Sequence, residues 1–282
     1  MGGPVVVVTD STAYLPAGLA DELGVRVVPL QVVLGGRSGA EGSEVTPAEV
    51  ASALAAWVPV STSRPTPAQF AAVYREALAA GASAVVSLHL SRELSGTWDS
   101  ARLAAAEVGA GSVRVVDSRS AAMGLGFPVL AAAEAAAAGG SPEDVYAAAV
   151  GTAERTTTLF YVDTLEHLRR GGRIGAAQAL LGTALSVKPI LHVREGRIVP
   201  LEKVRTVSKG VARLEALAVT AAGDGQADVA VHHLAAAERA AVLAERLRAR
   251  LPNVGRFYTS EVGAVVGAHV GPGVLGVVVV RN

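Results

Sequence analysis

The N-terminal stretch Val5-Val6-Val7-Val8-Thr9-Asp10-Ser11-Thr12 sets four valines directly before a cluster of hydroxyl and carboxylate side chains. A run of four valines is too short for a helix, and β-branched residues favour a strand. Two later runs, Ala84–Leu90 and Val113–Val116, have the same form and also lead into polar segments. Longer segments rich in alanine and charged residues separate them, such as Pro67–Ala80 and Trp98–Val108. This alternation predicts a mainly parallel sheet that helices cover on both faces.

Helix starts in the same half of the chain carry recognisable caps. Thr46-Pro47-Ala48-Glu49 combines a hydroxyl N-cap, a proline at the first helical position and a carboxylate at the third. The segment that begins at Ser141 repeats this arrangement, and the segment that begins at Thr66 does so with glutamine in place of the carboxylate. The further elements predicted before residue 155 are a strand at Val25–Val33 and helices at Leu15–Leu23, Thr46–Trp57 and Met123–Ala138.

After about residue 155 the pattern of elements changes. Two strand candidates, Ile190–Arg194 and Arg197–Leu201, flank Glu195-Gly196, which predicts a hairpin. The other elements predicted here are strands at Thr157–Asp163, Asp228–His232 and Leu275–Val280, and helices at Leu165–Arg170 and Ala235–Arg250. We therefore expect an α/β protein of two domains. Residues 1–155 form a three-layer α/β/α domain with a mainly parallel sheet, and residues 156–282 form an α+β domain with a largely antiparallel sheet.

Composition excludes several classes of function. Of 282 residues, 25 are Lys or Arg and 25 are Asp or Glu, so the net charge is zero and nothing favours nucleic acid as a partner. The absence of cysteine excludes disulfides, thiolate metal sites and a cysteine nucleophile. The first residues lack the basic and long apolar parts of a signal peptide. The alanine-rich stretch Ala121–Gly140 contains Pro128 and Glu134, so we expect a buried helix there and a cytoplasmic protein without stable membrane insertion.

Hydroxyl residues follow each of the three valine-rich or apolar runs: Ser11 after the first, Ser95-Gly96-Thr97 after the second and Ser118 after the third. Ligands of open α/β sheets bind outside the carboxyl ends of the strands. Hydroxyl and backbone N–H groups at a helix start suit an anion, and Gly96 permits close approach of a ligand to the backbone. The alternative is that these residues only cap helices.

Three further segments could carry chemistry. Ser61-Thr62-Ser63-Arg64-Pro65-Thr66-Pro67 holds four hydroxyls on a backbone that two prolines restrict. Gly267–Gly273 places His269 in a glycine- and proline-rich loop before the last strand. Leu168–Ile174 groups three arginines around a glycine pair, and Arg173 follows the predicted helix end. A capped turn, a structural histidine and cations at a helix C-terminus are the respective alternatives.

Known catalytic patterns do not match this sequence. The nucleophile elbow Gly-x-Ser-x-Gly would need glycine at the position of Glu93, a Walker loop is absent, and no spacing of histidine with carboxylates resembles a metal site. An acyl hydrolase that uses Ser95 and His269, with Asp10 or Asp117 as the orienting carboxylate, stays open as one alternative. A binding protein for another anionic small molecule, such as a sugar or nucleotide derivative, is the second.

Eight short segments of the sequence stand out when they are taken in chain order. They are Thr9-Asp10-Ser11-Thr12, Thr62-Ser63-Arg64-Pro65-Thr66-Pro67, Leu94-Ser95-Gly96-Thr97-Trp98, Val116-Asp117-Ser118, Leu168-Arg169-Arg170-Gly171-Gly172-Arg173-Ile174, Lys188-Pro189-Ile190-Leu191, Val204-Arg205-Thr206, and Glu261-Val262-Gly263 with His269-Val270-Gly271-Pro272-Gly273. Each segment is weak alone, but together they span nearly the whole chain. In this order they resemble the DegV family, the bacterial fatty-acid-binding proteins of FakB type.

The resemblance implies a lipid carrier that is not itself an enzyme and needs no cofactor or metal. A long-chain fatty acid is implied between the two domains. Its carboxylate is implied to bind Thr62, Ser95, Gly96 and His269, with Ser11, Ser63, Thr97 and Ser118 as supporting loop residues. A separate fatty acid kinase catalytic subunit is implied to phosphorylate the carboxyl group while the carrier presents it. Arg173 and Arg205 are associated with that encounter.

Three features of this chain depart from the family pattern. Arg64 stands where glutamine is more frequent, and Ala264 stands where proline is common. The stretch Gly35–Glu44 is rich in glycine and serine and lacks the expected aromatic residue. These departures leave the implied head-group residues in place and bear on chain-length preference and loop order.

Overall fold

The computed structural model describes residues 3–109, 111–180 and 188–282. Met1 and Gly2, part of the segment inspected for a signal peptide, lie outside the described residues. The chain divides into two units: the first contains Met1–Gln31 and Ser63–Glu154, and the second contains Val32–Thr62 and Arg155–Asn282. The continuous domains 1–155 and 156–282 stay a prediction, because contacts in a folded chain do not show which segments fold independently.

Strands and helices alternate along the described chain. The strands are β1 Val5–Asp10, β2 Arg26–Val28, β3 Gln31–Leu34, β4 Arg37–Ala40, β5 Val60–Ser63, β6 Ala84–His89, β7 Val113–Asp117, β8 Thr156–Tyr161, β9 Lys188–Arg194, β10 Arg197–Val204, β11 Ala227–His233, β12 Val254–Glu261 and β13 Leu275–Arg281. The α-helices are α1 Leu19–Glu22, α2 Pro47–Ala55, α3 Pro67–Ala79, α4 Thr97–Val108, α5 Met123–Ala137, α6 Pro142–Glu154, α7 Glu166–Arg170, α8 Val207–Ala222, α9 Ala237–Arg250 and α10 Ala264–Val270.

A four-stranded parallel sheet with the order β2-β1-β6-β7 forms the centre of the first unit. Successive side chains of β1 point to opposite faces. Val5 and Val7 pack with residues of α5 and α6, whereas Val8 packs with residues of α3 and α4. Helices therefore cover both faces, and the predicted three-layer α/β/α arrangement is confirmed. The parallel register brings the carboxyl ends of β1, β6 and β7 to one edge.

A six-stranded sheet with the order β10-β9-β8-β13-β11-β12 forms the centre of the second unit. Neighbouring strands are antiparallel except for β11 and β12. Glu195 and Gly196 have φ angles of 51° and 79°, as the tight turn of the β9–β10 hairpin requires. Residues of α8 and α9 pack on one face of this sheet. The predicted α+β arrangement with a largely antiparallel sheet is confirmed.

The segment 32–62 belongs to the second unit and contributes a small sheet with the order β4-β3-β5. The predicted capping box at the start of α2 is present, since Thr46 and Glu49 each accept a hydrogen bond from the backbone N–H of the other. The hydrogen bonds that the backbone N–H and the hydroxyl of Thr46 donate to the carboxylate lower the pKa of Glu49. Helix α2 packs against α10, so this segment contacts the helix that carries His269.

Two predicted elements in the first third of the chain are shorter in the structure. The strand predicted at Val25–Val33 is divided into β2 and β3, because Pro29 between them has no N–H for a ladder bond. The helix predicted at Leu15–Leu23 shrinks to α1, which begins after Gly18 with its φ of +79°. Proline and a left-handed glycine thus override the apolar pattern at both places.

The structure also corrects two loops and adds several elements, among them strand β4 at Arg37–Ala40. The predicted rigid loop Ser61–Pro67 begins as strand β5 and then leads into α3. His269 lies in the last turn of α10 and not in a loop. Helix α8 and strand β12 occupy stretches where the sequence analysis predicts no element.

Candidate functional site

Thr62 and His269 form the first cluster of candidate head-group residues, within the second unit. Thr62 lies near the end of β5 and His269 in the last turn of α10. The hydroxyl oxygen of Thr62 lies 2.9 Å from Nε2 of His269. Both side chains are half-buried. The structure therefore joins two predicted site residues that are 207 positions apart in the sequence.

The ring of His269 is held in its neutral form. Burial lowers its pKa to about 4, and the nearby positive charge of Arg173 adds to this effect. Nδ1 is buried and has no hydrogen-bond partner among the described residues. An N–H group without an acceptor is costlier than a bare ring nitrogen, so the proton belongs on Nε2, which can donate to Thr62. In that tautomer the hydroxyl proton of Thr62 is left for a ligand.

The arginine- and glycine-rich segment after α7 lies directly beside this pair. A Cβ atom on Gly171 would overlap Nδ1 of His269 and lie 2.9 Å from its Cε1. Nη1 of Arg173 donates to the carbonyl oxygen of Gly171 at 2.6 Å. In return, the ring of His167 packs on Gly271, the residue that ends α10. Each of the two helix ends thus provides a glycine against which a histidine of the other helix packs.

The other arginines of this segment are already engaged. Arg169 and Arg170 both donate to the carboxylate of Glu166, and these hydrogen bonds lower its pKa to about 2. The guanidinium of Arg170 also lies 4.7 Å from the ring centroid of Trp57, an exposed residue after α2. The sequence-based alternative, cations at a helix C-terminus, accounts for both of these arginines. Arg205 is exposed in the short connection between β10 and α8.

Ser95, Gly96 and Thr97 form the second cluster, within the first unit at the start of α4. The hydroxyls of Ser95 and Thr97 lie 2.9 Å apart, and the backbone N–H of Thr97 donates to Ser95 at 3.3 Å. Thr97 is fully buried, so its hydroxyl proton needs Ser95 as the acceptor. The hydroxyl proton of Ser95 is then left for a ligand. Gly96 caps α4 without any side-chain hydrogen bond.

The guanidinium of Arg64 packs on Gly96. A Cβ atom at position 96 would overlap Nη1 of Arg64 and lie 2.8 Å from its Cζ. Gly96 has an ordinary φ of −75°, so close approach and not backbone conformation requires the glycine. The sequence alone predicts no role for Arg64, which stands out there only as a departure from the family pattern.

Two of the predicted supporting residues, Ser11 and Ser118, accept backbone hydrogen bonds. Ser11 accepts from the N–H of Leu30 at 3.0 Å, and Ser118 accepts from the N–H of Ser120 at 3.2 Å. The N–H of Ser91 donates to the carbonyl of Ser120 at 2.8 Å, which ties the turns after β6 and β7 together. Ser63 is exposed at the end of β5.

A fully buried polar chain lies beneath these turns, and the sequence analysis missed it. Tyr74, Ser87, His89 and Asp10 follow one another at 2.8, 2.7 and 3.0 Å, all with 0% exposure. If each group donates to the next, from the Tyr74 hydroxyl to the Asp10 carboxylate, every donor in the series has an acceptor. Asp10 also accepts from the backbone N–H groups of Thr12 and Leu90, each at 3.0 Å. This series of hydrogen-bonded side chains therefore fixes the carboxyl ends of β1 and β6 relative to each other.

The hydrogen bonds of the candidate residues argue against the acyl-hydrolase alternative. The proposed orienting carboxylates are engaged elsewhere: Asp10 contacts His89, and Asp117 accepts from the N–H of Arg119 at 2.9 Å. No described group hydrogen-bonds to Nδ1 of His269. The one serine–histidine–aspartate series just described includes Ser87, whose hydroxyl is inaccessible to a substrate. Nothing in the described chain thus completes the triad that the hydrolase needs.

Comparison with known proteins identifies the family. The model of the family described as "Uncharacterised protein, DegV family" matches residues 4–282. The chain belongs to the DegV family. A DegV domain-containing protein of Streptomyces coelicolor is 57% identical over 279 residues, covering 99% of each chain. Protein DegV of Bacillus subtilis is 38% identical over 276 residues, covering 97% of this chain and 98% of its own.

Solved structures of DegV family members match the whole fold. A fatty-acid-binding DegV family protein from Thermus thermophilus has a TM-score of 0.93 at 40% identity, covering 99% of this chain and 100% of that chain. DegV of Bacillus subtilis, described as a fatty acid binding protein, has a TM-score of 0.90 at 37% identity and full coverage of both chains. The predicted resemblance to the DegV family is confirmed.

No group of histidine and carboxylate side chains within the ranges given above has the geometry to hold a metal ion. Within the same ranges, no helix has both the length and the apolar character needed to cross a membrane.

Proposed function

We propose that this chain is a carrier that binds one long-chain fatty acid and does not act as an enzyme on its own. The observation that carries the proposal is the agreement over 99% of the chain, with a TM-score of 0.93, with the fatty-acid-binding DegV protein of Thermus thermophilus. In this proposal the ligand carboxylate binds Thr62, Ser95, Gly96 and His269, and the protein works in the cytoplasm without a cofactor.

The hydrogen bonds of both clusters support this use. With His269 donating to Thr62 and Thr97 donating to Ser95, each cluster keeps one hydroxyl proton for a ligand. Each charge-assisted hydrogen bond contributes about 1.5–3 kcal/mol net. About fifteen buried methylenes contribute roughly 12 kcal/mol gross. The tail therefore provides most of the affinity, and the hydroxyls decide which end of the lipid binds and where it stops.

Lipid extraction and native mass spectrometry of the purified protein test the proposal directly. We expect one fatty acid of roughly 14 to 18 carbons per chain, in line with a tail-dominated affinity. Added palmitate or oleate at a hundred times the dissociation constant should stabilise the fold by about 2.7 kcal/mol. Absence of stoichiometric lipid, together with an unchanged melting temperature on addition of either acid, would refute the carrier.

Head-group variants test the site. Thr62→Ala, Ser95→Ala and His269→Ala should each weaken binding by about 1–3 kcal/mol, because each removes one polar contact while the tail contacts persist. Thr220→Ala is a matched control, since this exposed hydroxyl bonds only to the carbonyl of Ala216 in its own helix. Unchanged affinity in the triple variant would place the carboxylate elsewhere.

We further propose that the carrier presents the carboxylate to a fatty acid kinase catalytic subunit. A carboxylate oxygen attacks the γ-phosphorus of ATP, the bond to the ADP oxygen breaks, and an acyl phosphate forms. Arg173 and Arg205 would meet an acidic surface of the kinase or the phosphates, which guanidinium groups bind bidentately. Arg205 is exposed and suits this role, whereas Arg173 donates a hydrogen bond to the carbonyl oxygen of Gly171 at the end of α7.

Binding of the fatty acid and presentation of its carboxylate to the kinase are distinguished when both are measured on the same variants. We expect Arg173→Ala and Arg205→Ala to retain bound fatty acid and to lose most acyl phosphate formation with a cognate kinase subunit. Arg75→Ala, which removes an exposed arginine paired with Glu107, is the control for loss of charge. If lipid occupancy or the melting temperature falls in step with phosphorylation, the two arginines are structural and the assignment is wrong.

A further inference from the structure

Helix α10, which carries His269, is held at its first turn by a residue from a distant part of the chain. The carboxylate of Glu41 accepts a hydrogen bond from the backbone N–H of Val265 at 2.7 Å. Glu41 is only 7% exposed, and Gly263 at the N-cap offers no side chain of its own. A buried carboxylate at this end of a helix also interacts favourably with the helix dipole.

The segment that provides Glu41 also provides the contact at the other end of the same helix. Thr62 pairs with His269 at the C-terminal turn, and Glu41 bonds to the first turn. Both belong to the segment 32–62 of the second unit, whose helix α2 packs against α10. A helix of seven residues is unstable by itself, so these contacts determine where its side chains lie.

We infer that Glu41 is a positioning residue for His269, which acts by fixing the start of α10 so that the imidazole meets Thr62. This inference rests on the proposed function, in which His269 and Thr62 bind the lipid carboxylate. Without the carboxylate of Glu41, the first turn of α10 loses an acceptor in a buried place. The helix then shifts or frays, and the ring at its other end leaves the hydroxyl it should orient.

The test uses Glu41→Ala and Glu41→Gln in the full chain. Glutamine keeps an acceptor oxygen for the N–H of Val265 but removes the charge and replaces the second oxygen with an NH2 donor, whereas alanine removes the whole polar group. Glu49→Ala is the matched control, because Glu49 is an exposed capping carboxylate of the same segment that bonds to Thr46. Palmitate and oleate affinity is measured together with the side-chain ¹⁵N resonances of His269.

For Glu41→Ala we expect roughly a two- to thirteenfold loss of palmitate affinity, the equivalent of one hydrogen bond, and a change from the Nε2–H tautomer of His269 to a mixture. Glu41→Gln should restore both, and Glu49→Ala should alter neither. In a double variant with His269→Ala, the two losses should not multiply, because both act through the same contact.

Three outcomes would overturn the inference: unchanged His269 resonances in Glu41→Ala, a failure of Glu41→Gln to rescue them, or losses that multiply in the double variant. If Glu41→Ala does not fold, the resonances and affinity of Glu41→Gln and Glu41→Asp decide. Failure of the proposed function gives a different result. The wild-type chain then binds neither acid, while the resonances of His269 still report whether Glu41 positions the ring.

Discussion

Replacing Gly171 by alanine should displace His269 from Thr62. The backbone at Gly171 has φ −73° and ψ −6°, which alanine adopts without strain. The added Cβ, however, would overlap Nδ1 of His269 and lie 2.9 Å from Cε1. The ring is enclosed by α7 and α10, so it must turn away from the 2.9 Å contact with Thr62.

The expected cost follows from three opposing contributions. Loss of one hydrogen bond costs about 0.5–1.5 kcal/mol, and overpacking of a filled site costs about 1–3 kcal/mol. Lower entropy of the unfolded chain with alanine returns about 0.4–1 kcal/mol. We therefore expect Gly171→Ala to lower the free energy of unfolding by roughly 1–3 kcal/mol and to weaken binding of palmitate.

The neighbouring glycine provides the control. Gly172 has φ +70° and open space around the position of a Cβ, so Gly172→Ala should cost about 1–2 kcal/mol through backbone strain alone. Urea unfolding should then show similar losses in the free energy of unfolding for both variants. The ¹⁵N resonances of His269 distinguish them, because only Gly171→Ala displaces the ring. The reasoning is refuted if Gly171→Ala leaves the His269 resonances and palmitate affinity as in the wild type.

Three further predictions follow from buried polar groups and close contacts. Burial lowers the pKa of His269 and of His232 to about 4, below the value of about 6.5 in the unfolded chain, so the unfolded state takes up protons first. Urea unfolding should therefore show stability falling between pH 6.5 and pH 4, by up to about 3 kcal/mol for each histidine, and removal of either ring should flatten that slope. Asp10→Asn should lower the free energy of unfolding by about 1–3 kcal/mol, because the amide replaces one carboxylate oxygen with a donor and leaves a buried donor without its acceptor, and an equal urea midpoint would contradict this. Gly96→Ala should lower the melting temperature by crowding Arg64, and the double variant with Arg64→Ala should recover most of the loss.

The central sheets follow directly from the sequence, whereas one helix of the site does not. Runs of β-branched residues predict β1, β6 and β7, because strands buried on both faces need no polar positions. Helix α10 contains glycine at position 267 and is flanked by glycines at 263 and 271, which is typical of a loop. Its first turn is stabilised by Glu41, 224 residues away, and no local pattern reports such a contact.

The candidate site likewise has one part that the residues alone could predict and one part that they could not. The pair of Thr62 and His269 was expected only from the family resemblance, since the residues are 207 positions apart. The buried chain through Ser87 and His89 was accessible to sequence reasoning. These two residues lie two positions apart on a predicted strand and so share one face, and Asp10 ends the neighbouring strand.

A neutral imidazole at the head group suits a carrier that gives its ligand to another enzyme. Charging His269 would put a proton on Nδ1, which faces Gly171 and finds no acceptor in the described part of the chain. In the proposed complex the carboxylate therefore meets hydroxyl donors and no imidazolium. Weaker stabilisation of the bound carboxylate leaves its oxygen more able to attack phosphorus, because interactions that favour only the ground state slow the chemical step. The same property is unsuited to hydrolysis, in which the histidine must accept a proton and remain charged until the leaving group departs.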